Sequence, residues 1–179
     1  MKINLIPEVV IMIINNEFFQ NLCLPIGRHK IILIDFDNEH GLDMYNLLSN
    51  SSLYPELSLL RVIWEKVNAE ENLLSILQKY ENQKNLVICL PLAWNDTKYN
   101  KIIKKMAINN IVISPYDNNF IYPWSLPNVI CANKNQEWFY SNEQHQQILI
   151  NGYSVDTVLL SIVAVKGKEY LQNFIKTRR

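Results

Sequence analysis

Short apolar runs alternate along this chain with segments of helical periodicity. Six runs of mostly apolar residues predict β-strands, at residues 9–14, 30–35, 57–64, 86–90, 111–114 and 128–132. Glu70–Tyr80 and residues 99–108 repeat apolar side chains at helical spacing, and an apolar helix is predicted from about Ser154 onward. Continuous apolar strands separated by such helices are typical of a parallel sheet covered on both faces. The pattern predicts an α/β fold, doubly wound, with a mostly parallel sheet.

Length and charge limit the classes of protein that the chain can belong to. Its 179 residues, 49% hydrophobic and 19% charged, fit one globular domain over residues 1–179. We expect an N-terminal strand or arm at residues 1–26 and a basic C-terminal helix at residues 166–179. Basic and acidic residues number 17 each, so no net basic field favours nucleic acid or a membrane surface. The apolar run 9–14 is too short to span a membrane.

Three cysteines, Cys23, Cys89 and Cys131, show no paired spacing. They predict neither a disulfide framework nor a zinc site, and we expect a cytoplasmic protein without a metal or cofactor. Asp35, Asp37 and Asp43 leave open a magnesium site after the first central strand. A polar loop after a parallel strand has the same composition, and that interpretation is preferred.

Polar residues that could take part in catalysis lie at or after the ends of the predicted strands. Asp35 ends one strand, and Asn118 follows another. Ser154 stands in a Gly-Tyr-Ser turn before the apolar helix, a setting in which several hydrolase folds present a nucleophilic serine. A serine there also serves as a simple helix cap. Because parallel strands end at one edge of a sheet, we expect Asp35, Asn118 and Ser154 to converge.

These segments resemble the subtilisin-like serine proteases. Residues 27–35 (Gly-Arg-His-Lys-Ile-Ile-Leu-Ile-Asp) are similar to the strand that carries the family's aspartate, and residues 109–118 to the strand ending in its oxyanion-hole asparagine. Residues 122–130 (Tyr-Pro-Trp-Ser-Leu-Pro-Asn-Val-Ile) resemble the family's Tyr-Pro-Ala-x-x-Pro-x-Val-Ile segment, and residues 152–154 its Gly-Thr-Ser. The resemblance covers roughly residues 27–165. It implies vestigial catalytic positions at Asp35, Asn118 and Ser154.

Departures from the family pattern predict that catalysis is lost. The family's histidine begins a His-Gly-Thr-type helix, whereas the only histidine between Asp35 and the next predicted strand is His40, after a connection that is too short for that helix. Asp117 replaces the glycine before the oxyanion asparagine, and its carboxylate would repel a developing oxyanion. Without a base the Ser154 hydroxyl stays protonated. We therefore expect no histidine ring between Asp35 and Ser154.

The resulting expectation is an inactive pseudo-protease that binds peptides or proteins. An extended segment would add as a strand beside residues 86–92, with Leu90, Pro91 and Leu92 as its contacts. The partner would be a full-length protease or a peptide-modifying enzyme, for instance in maturation of a ribosomally made peptide natural product.

Two alternatives remain open at this point. The first is a working serine peptidase that borrows its histidine from a partner subunit or folds His40 into place. The second is an α/β binding module such as a receiver-like or nucleotide-binding domain, although no glycine-rich phosphate loop follows a predicted strand.

Overall fold

A computed structural model describes residues 30–49, 61–141 and 147–178. Five strands form a parallel sheet: β1 (Lys30–Phe36), β2 (Arg61–Val67), β3 (Val87–Cys89), β4 (Ile111–Pro115) and β5 (Val129–Ala132). Their spatial order is β2-β1-β3-β4-β5, and every neighbouring pair is parallel. Strands β1, β3 and β4 are therefore adjacent in the centre of the sheet.

Helices cover both faces of this sheet. Helices α1 (Glu39–Ser49), α4 (Tyr153–Ala164) and α5 (Lys168–Thr177) pack with one face in a common apolar core. Helices α2 (Glu70–Tyr80) and α3 (Asn100–Asn109) pack against the opposite face. Successive side chains of a strand point to opposite faces, so Ile31 and Leu33 enter the first core while Ile32 and Ile34 enter the second. This arrangement confirms the α/β fold class.

An antiparallel hairpin precedes α4, and the sequence pattern did not predict it. Strands β6 (Gln136–Ser141) and β7 (Gln147–Gly152) pair with each other and not with the main sheet. Helix α1 was also missed, because its polar residues around one glycine give a weak periodic signal. The predicted strand at residues 57–64 coincides with β2 over residues 61–64, and β2 continues to Val67; residues 57–60 lie outside the described part of the chain. The predicted strand at residues 9–14 and the arm at residues 1–26 lie outside it too.

Helix α4, predicted from its apolar sequence, is almost entirely buried, including Leu159, Leu160 and Val163. It packs against strands of the sheet and against helices α1 and α5. Helix α5 lies in the basic C-terminal segment and is fastened to α4 by an ion pair between Arg178 and Asp156. The first turn of α4 is therefore held in a rigid position at the edge of the sheet.

Candidate functional site

A pocket of about 420 Å³ lies where the central strands end at their carboxyl edge. Its walls come from the end of β1, from the segments after β3 and β4, and from the first turns of α1 and α4. The lining residues are Asp35, Phe36, His40, Pro91, Leu92, Ala93, Pro115, Tyr116, Asp117, Phe120, Tyr153 and Ser154. This edge is the usual ligand position in open parallel sheets. The fold thus brings two of the three predicted catalytic positions, Asp35 and Ser154, to one pocket.

Asp35 is a fully buried carboxyl group at the end of β1. Its Oδ1 accepts a hydrogen bond of 2.8 Å from the Phe36 N–H, while its Oδ2 has no hydrogen-bond partner among the residues described. Burial disfavours the charged form more than this hydrogen bond favours it, so the pKa of Asp35 rises from 3.8 to about 7. Burial therefore favours the protonated form of Asp35 at pH values where an exposed aspartate is ionised.

His40 also lines the pocket, as the second residue of α1. Its Nε2 lies 4.0 Å from Asp35 Oδ2, which is longer than a hydrogen bond. Partial burial lowers the pKa of His40 below 6.5, although the charge of Asp43 opposes the shift. The imidazole is therefore mostly neutral at pH 7 and is able to accept a proton.

The expectation that no histidine ring would lie between Asp35 and Ser154 did not foresee His40, which lines the same pocket as both residues. Helix α1 begins only three residues after β1 ends, so its first turn returns directly to the end of that strand. The Gly41 N–H donates a 3.0 Å hydrogen bond to Asn38 Oδ1, which holds the start of the helix. A Cβ at Gly41 would lie 2.0 Å from the Phe36 carbonyl oxygen, so glycine permits this close approach. The missed signal was the pair His40-Gly41, whose glycine allows the helix to begin close to the end of β1.

Ser154 is the second residue of α4 and is half-buried in the pocket wall. The chain enters this helix through Gly152, whose φ of 125° suits a residue without a Cβ. Gly152 is the N-cap and no side chain caps the helix, so the simple capping role for Ser154 is wrong. Backbone N–H groups of a first helical turn lack intrahelical partners and carry partial positive charge. Negative charge developing beside Ser154 would be stabilised by this helix terminus.

Asn118 does not join the pocket. It is exposed and outside the lining residues, whereas the preceding Asp117 lines the wall. Asp117 Oδ1 accepts a 2.7 Å hydrogen bond from the Asn119 N–H, which orients its carboxyl group. The chain turns directly after β4, so the acidic residue faces the pocket instead of the amide. A carboxylate therefore occupies the wall where the resemblance implies a neutral donor.

The predicted peptide-binding residues require a second correction. Strand β3 lies between β1 and β4, and the Leu90 N–H donates a 2.9 Å hydrogen bond to the Ile113 carbonyl. Leu90 is fully buried, so β3 offers no free edge to which a strand could add. Pro91 and Leu92 continue past the sheet and do line the pocket. A bound segment would therefore contact residues 91–93 and not pair with β3.

The packing of α4 against α5 also explains Asp156, which is not among the residues lining the pocket. Its side chain is buried, pairs with Arg178 and accepts a 3.1 Å hydrogen bond from the Lys134 N–H. Burial raises its pKa, while the charges of Arg178 and Lys134 and both hydrogen bonds oppose that shift. Asp156 thus holds α5 against α4.

Two further properties concern the described residues as a set. Within the ranges 30–49, 61–141 and 147–178, no three His, Cys, Asp or Glu side chains are grouped so that they could hold a metal ion. None of the helices in those ranges is long and apolar enough to cross a bilayer.

Comparison of the chain with protein-family models, curated proteins and solved structures finds no match.

Proposed function

We propose that the chain is a trimmed subtilisin-like domain that binds a peptide or protein segment in this pocket without hydrolysing it efficiently. The observation that carries the proposal is the meeting of Asp35, His40 and Ser154 in one pocket, next to residues 91–93. These three residues occur in the chain order of the subtilisin-like triad, and the central parallel strands are those that the resemblance requires. A pocket of about 420 Å³ is within the roughly 300–1,000 Å³ range of ligand sites.

Three features of the pocket support weak or absent hydrolysis. His40 Nε2 and Asp35 Oδ2 are 4.0 Å apart, so the carboxyl group does not orient the imidazole by a hydrogen bond. The raised pKa of Asp35 also leaves only part of it charged to stabilise an imidazolium ion. Asp117 adds negative charge to the pocket wall. Its charge opposes the stabilisation that the N-terminus of α4 would give to a tetrahedral oxyanion beside Ser154.

A serine peptidase is the second candidate, because His40 occupies the pocket with Ser154. Its imidazole is mostly neutral at pH 7, as a general base must be. Catalytic hydrogen bonds are often long in free enzymes and shorten when substrate binds. In this candidate His40, or a histidine from a partner subunit, would take the proton of the Ser154 hydroxyl.

The biological setting remains a proposal by analogy with other trimmed protease homologues. A binding domain of this kind would act in the cytoplasm as the accessory partner of a full-length protease or a peptide-modifying enzyme. Maturation of a ribosomally made peptide is one such process.

Labelling with a fluorophosphonate distinguishes the two candidates. Wild type, Ser154→Ala, His40→Ala and the exposed-site control Ser125→Ala would be tested for covalent labelling and for casein cleavage. The proposal expects no labelling above the Ser154→Ala background and no turnover in any of the four proteins. Labelling of wild type that is lost in both Ser154→Ala and His40→Ala, but kept in Ser125→Ala, would establish the peptidase.

Binding needs a separate measurement. A phage-displayed heptapeptide library would be selected on the wild-type protein and then tested on Ser154→Arg, which places a long side chain at the pocket wall. The exposed control Ser125→Arg adds the same side chain away from the lining residues. Peptides that bind wild type and Ser125→Arg but not Ser154→Arg support the proposal, whereas equal binding to all three contradicts it.

A further inference from the structure

The ionisable groups that line the pocket are mainly acidic. Asp35 and Asp117 contribute two carboxyl groups, His40 is mostly neutral at pH 7, and no lysine or arginine belongs to the described wall. Asp35 Oδ2 is buried without a hydrogen-bond partner among the described residues. A buried polar atom in that state is costly, and a donor brought by a ligand would remove the cost.

Two lysines, Lys66 and Lys98, form ion pairs with acidic residues that do not line the pocket. Lys66 Nζ lies 2.8 Å from Asp37 Oδ1 and stacks over the Trp64 ring at 4.4 Å from its centroid. Lys98 Nζ lies 3.6 Å from Asp96 Oδ2. Neither lysine is among the residues lining the pocket. Among the described residues, no lysine or arginine supplies a positive charge at Asp35 and Asp117, and a bound molecule would be able to supply it.

Aromatic rings form much of the remaining wall. Phe36 and Phe120 line the pocket with 49% and 39% of their surface exposed, although both are large apolar side chains. Tyr116 and Tyr153 meet edge to face at 5.8 Å between their ring centroids. Such rings pack against the methylene stem of a long side chain, and their faces attract a cation.

We infer that the pocket takes a lysine or arginine side chain of the bound peptide, whose cation meets the carboxylates of Asp35 and Asp117. The methylene stem lies against Phe36 and Phe120. This inference rests on the proposed peptide-binding function and adds the chemical class of the ligand. The ligand cation donates a hydrogen bond to the unpartnered Oδ2 of Asp35. Its positive charge offsets the negative charge of the pocket wall.

Matched peptides test this selectivity. Fluorescein-labelled octapeptides with leucine and alanine at the other positions would carry arginine, lysine, citrulline, norleucine or glutamate at one central position. Fluorescence anisotropy would give the Kd of each peptide for wild type, Asp117→Asn and the control Asp96→Asn. Asp96 is an exposed acidic residue outside the described pocket wall.

The expected result is a Kd at least about tenfold lower for the arginine and lysine peptides than for citrulline and norleucine, because hydrogen bonds to charged groups are the stronger ones. Asp117→Asn should reduce this ratio and Asp96→Asn should leave it unchanged. Binding without charge preference would overturn the inference while leaving peptide binding intact. Failure of every peptide to bind wild type would overturn the inference and count against the proposed function as well.

Discussion

Replacing Asp35 with asparagine is expected to stabilise the protein at alkaline pH. The amide keeps an oxygen that can accept the Phe36 N–H hydrogen bond. Because the amide is neutral, its burial does not carry the cost of desolvating a charge. In wild type, the folded state resists ionisation of Asp35, whose pKa rises from 3.8 to about 7. The substitution removes the ionisable group and with it this unfavourable contribution to the free energy of folding.

The magnitude follows from linkage between proton binding and folding. Because the folded pKa of Asp35 is the higher one, the folded state holds a proton that the unfolded state releases between about pH 4 and pH 7. The carboxyl group therefore costs stability increasingly as pH rises through this window, and the full cost is present above pH 7. A shift from 3.8 to about 7 corresponds to roughly 4 kcal/mol, and partial relaxation of the site would make it smaller.

Urea unfolding of wild type and Asp35→Asn at pH 5 and pH 8 would measure this effect. The variant should exceed wild type by up to about 4 kcal/mol at pH 8 and by about 2 kcal/mol or less at pH 5. The lowered pKa of His40 acts in the opposite direction, since its stabilising contribution is lost as pH falls, but both proteins share it. As a control, Asp37→Asn removes an exposed ion pair with Lys66 and should change stability by about 1 kcal/mol or less.

Destabilisation of Asp35→Asn at pH 8 would refute this reasoning. It would mean that Asp35 is ionised in the folded protein and held by a partner, for which His40 is the nearest candidate at 4.0 Å. That result would also favour the peptidase over the binding domain.

Two substitutions and one chemical-labelling experiment test the packing of the protein. Gly41→Ala should lower the free energy of unfolding by about 1–3 kcal/mol, because the new Cβ would collide with the Phe36 carbonyl oxygen; urea unfolding would show it, and unchanged stability would mean that α1 begins farther from β1. Arg178→Met should cost about 3–5 kcal/mol by leaving buried Asp156 without its cation, and a loss below 1 kcal/mol would contradict the docking of α5. Native Cys89, whose pKa burial raises to about 12, should resist iodoacetamide at pH 8, as peptide mapping would show; rapid alkylation would contradict its burial.

The central sheet was predictable because its signal is local. Strands β1, β3 and β4 are buried on both faces, so nearly every residue in them is apolar and each run is visible in the sequence. Helix α4 was predictable for the same reason, since ten of its residues are buried. The apolar stripes of α2 and α3 likewise record contact with one sheet face.

Tertiary structure decided the rest of the pocket, beyond the meeting of Asp35 and Ser154 that the sequence predicted. The order of strands made β3 an interior strand and removed the edge expected beside Leu90, and the turn after β4 aimed Asp117 and not Asn118 at the pocket. His40 reached Asp35 because α1 starts within three residues of β1, a close approach that depends on the space at Gly41. Hydrophobic periodicity records which side of an element is buried, whereas a pocket depends on how separate elements are placed relative to one another.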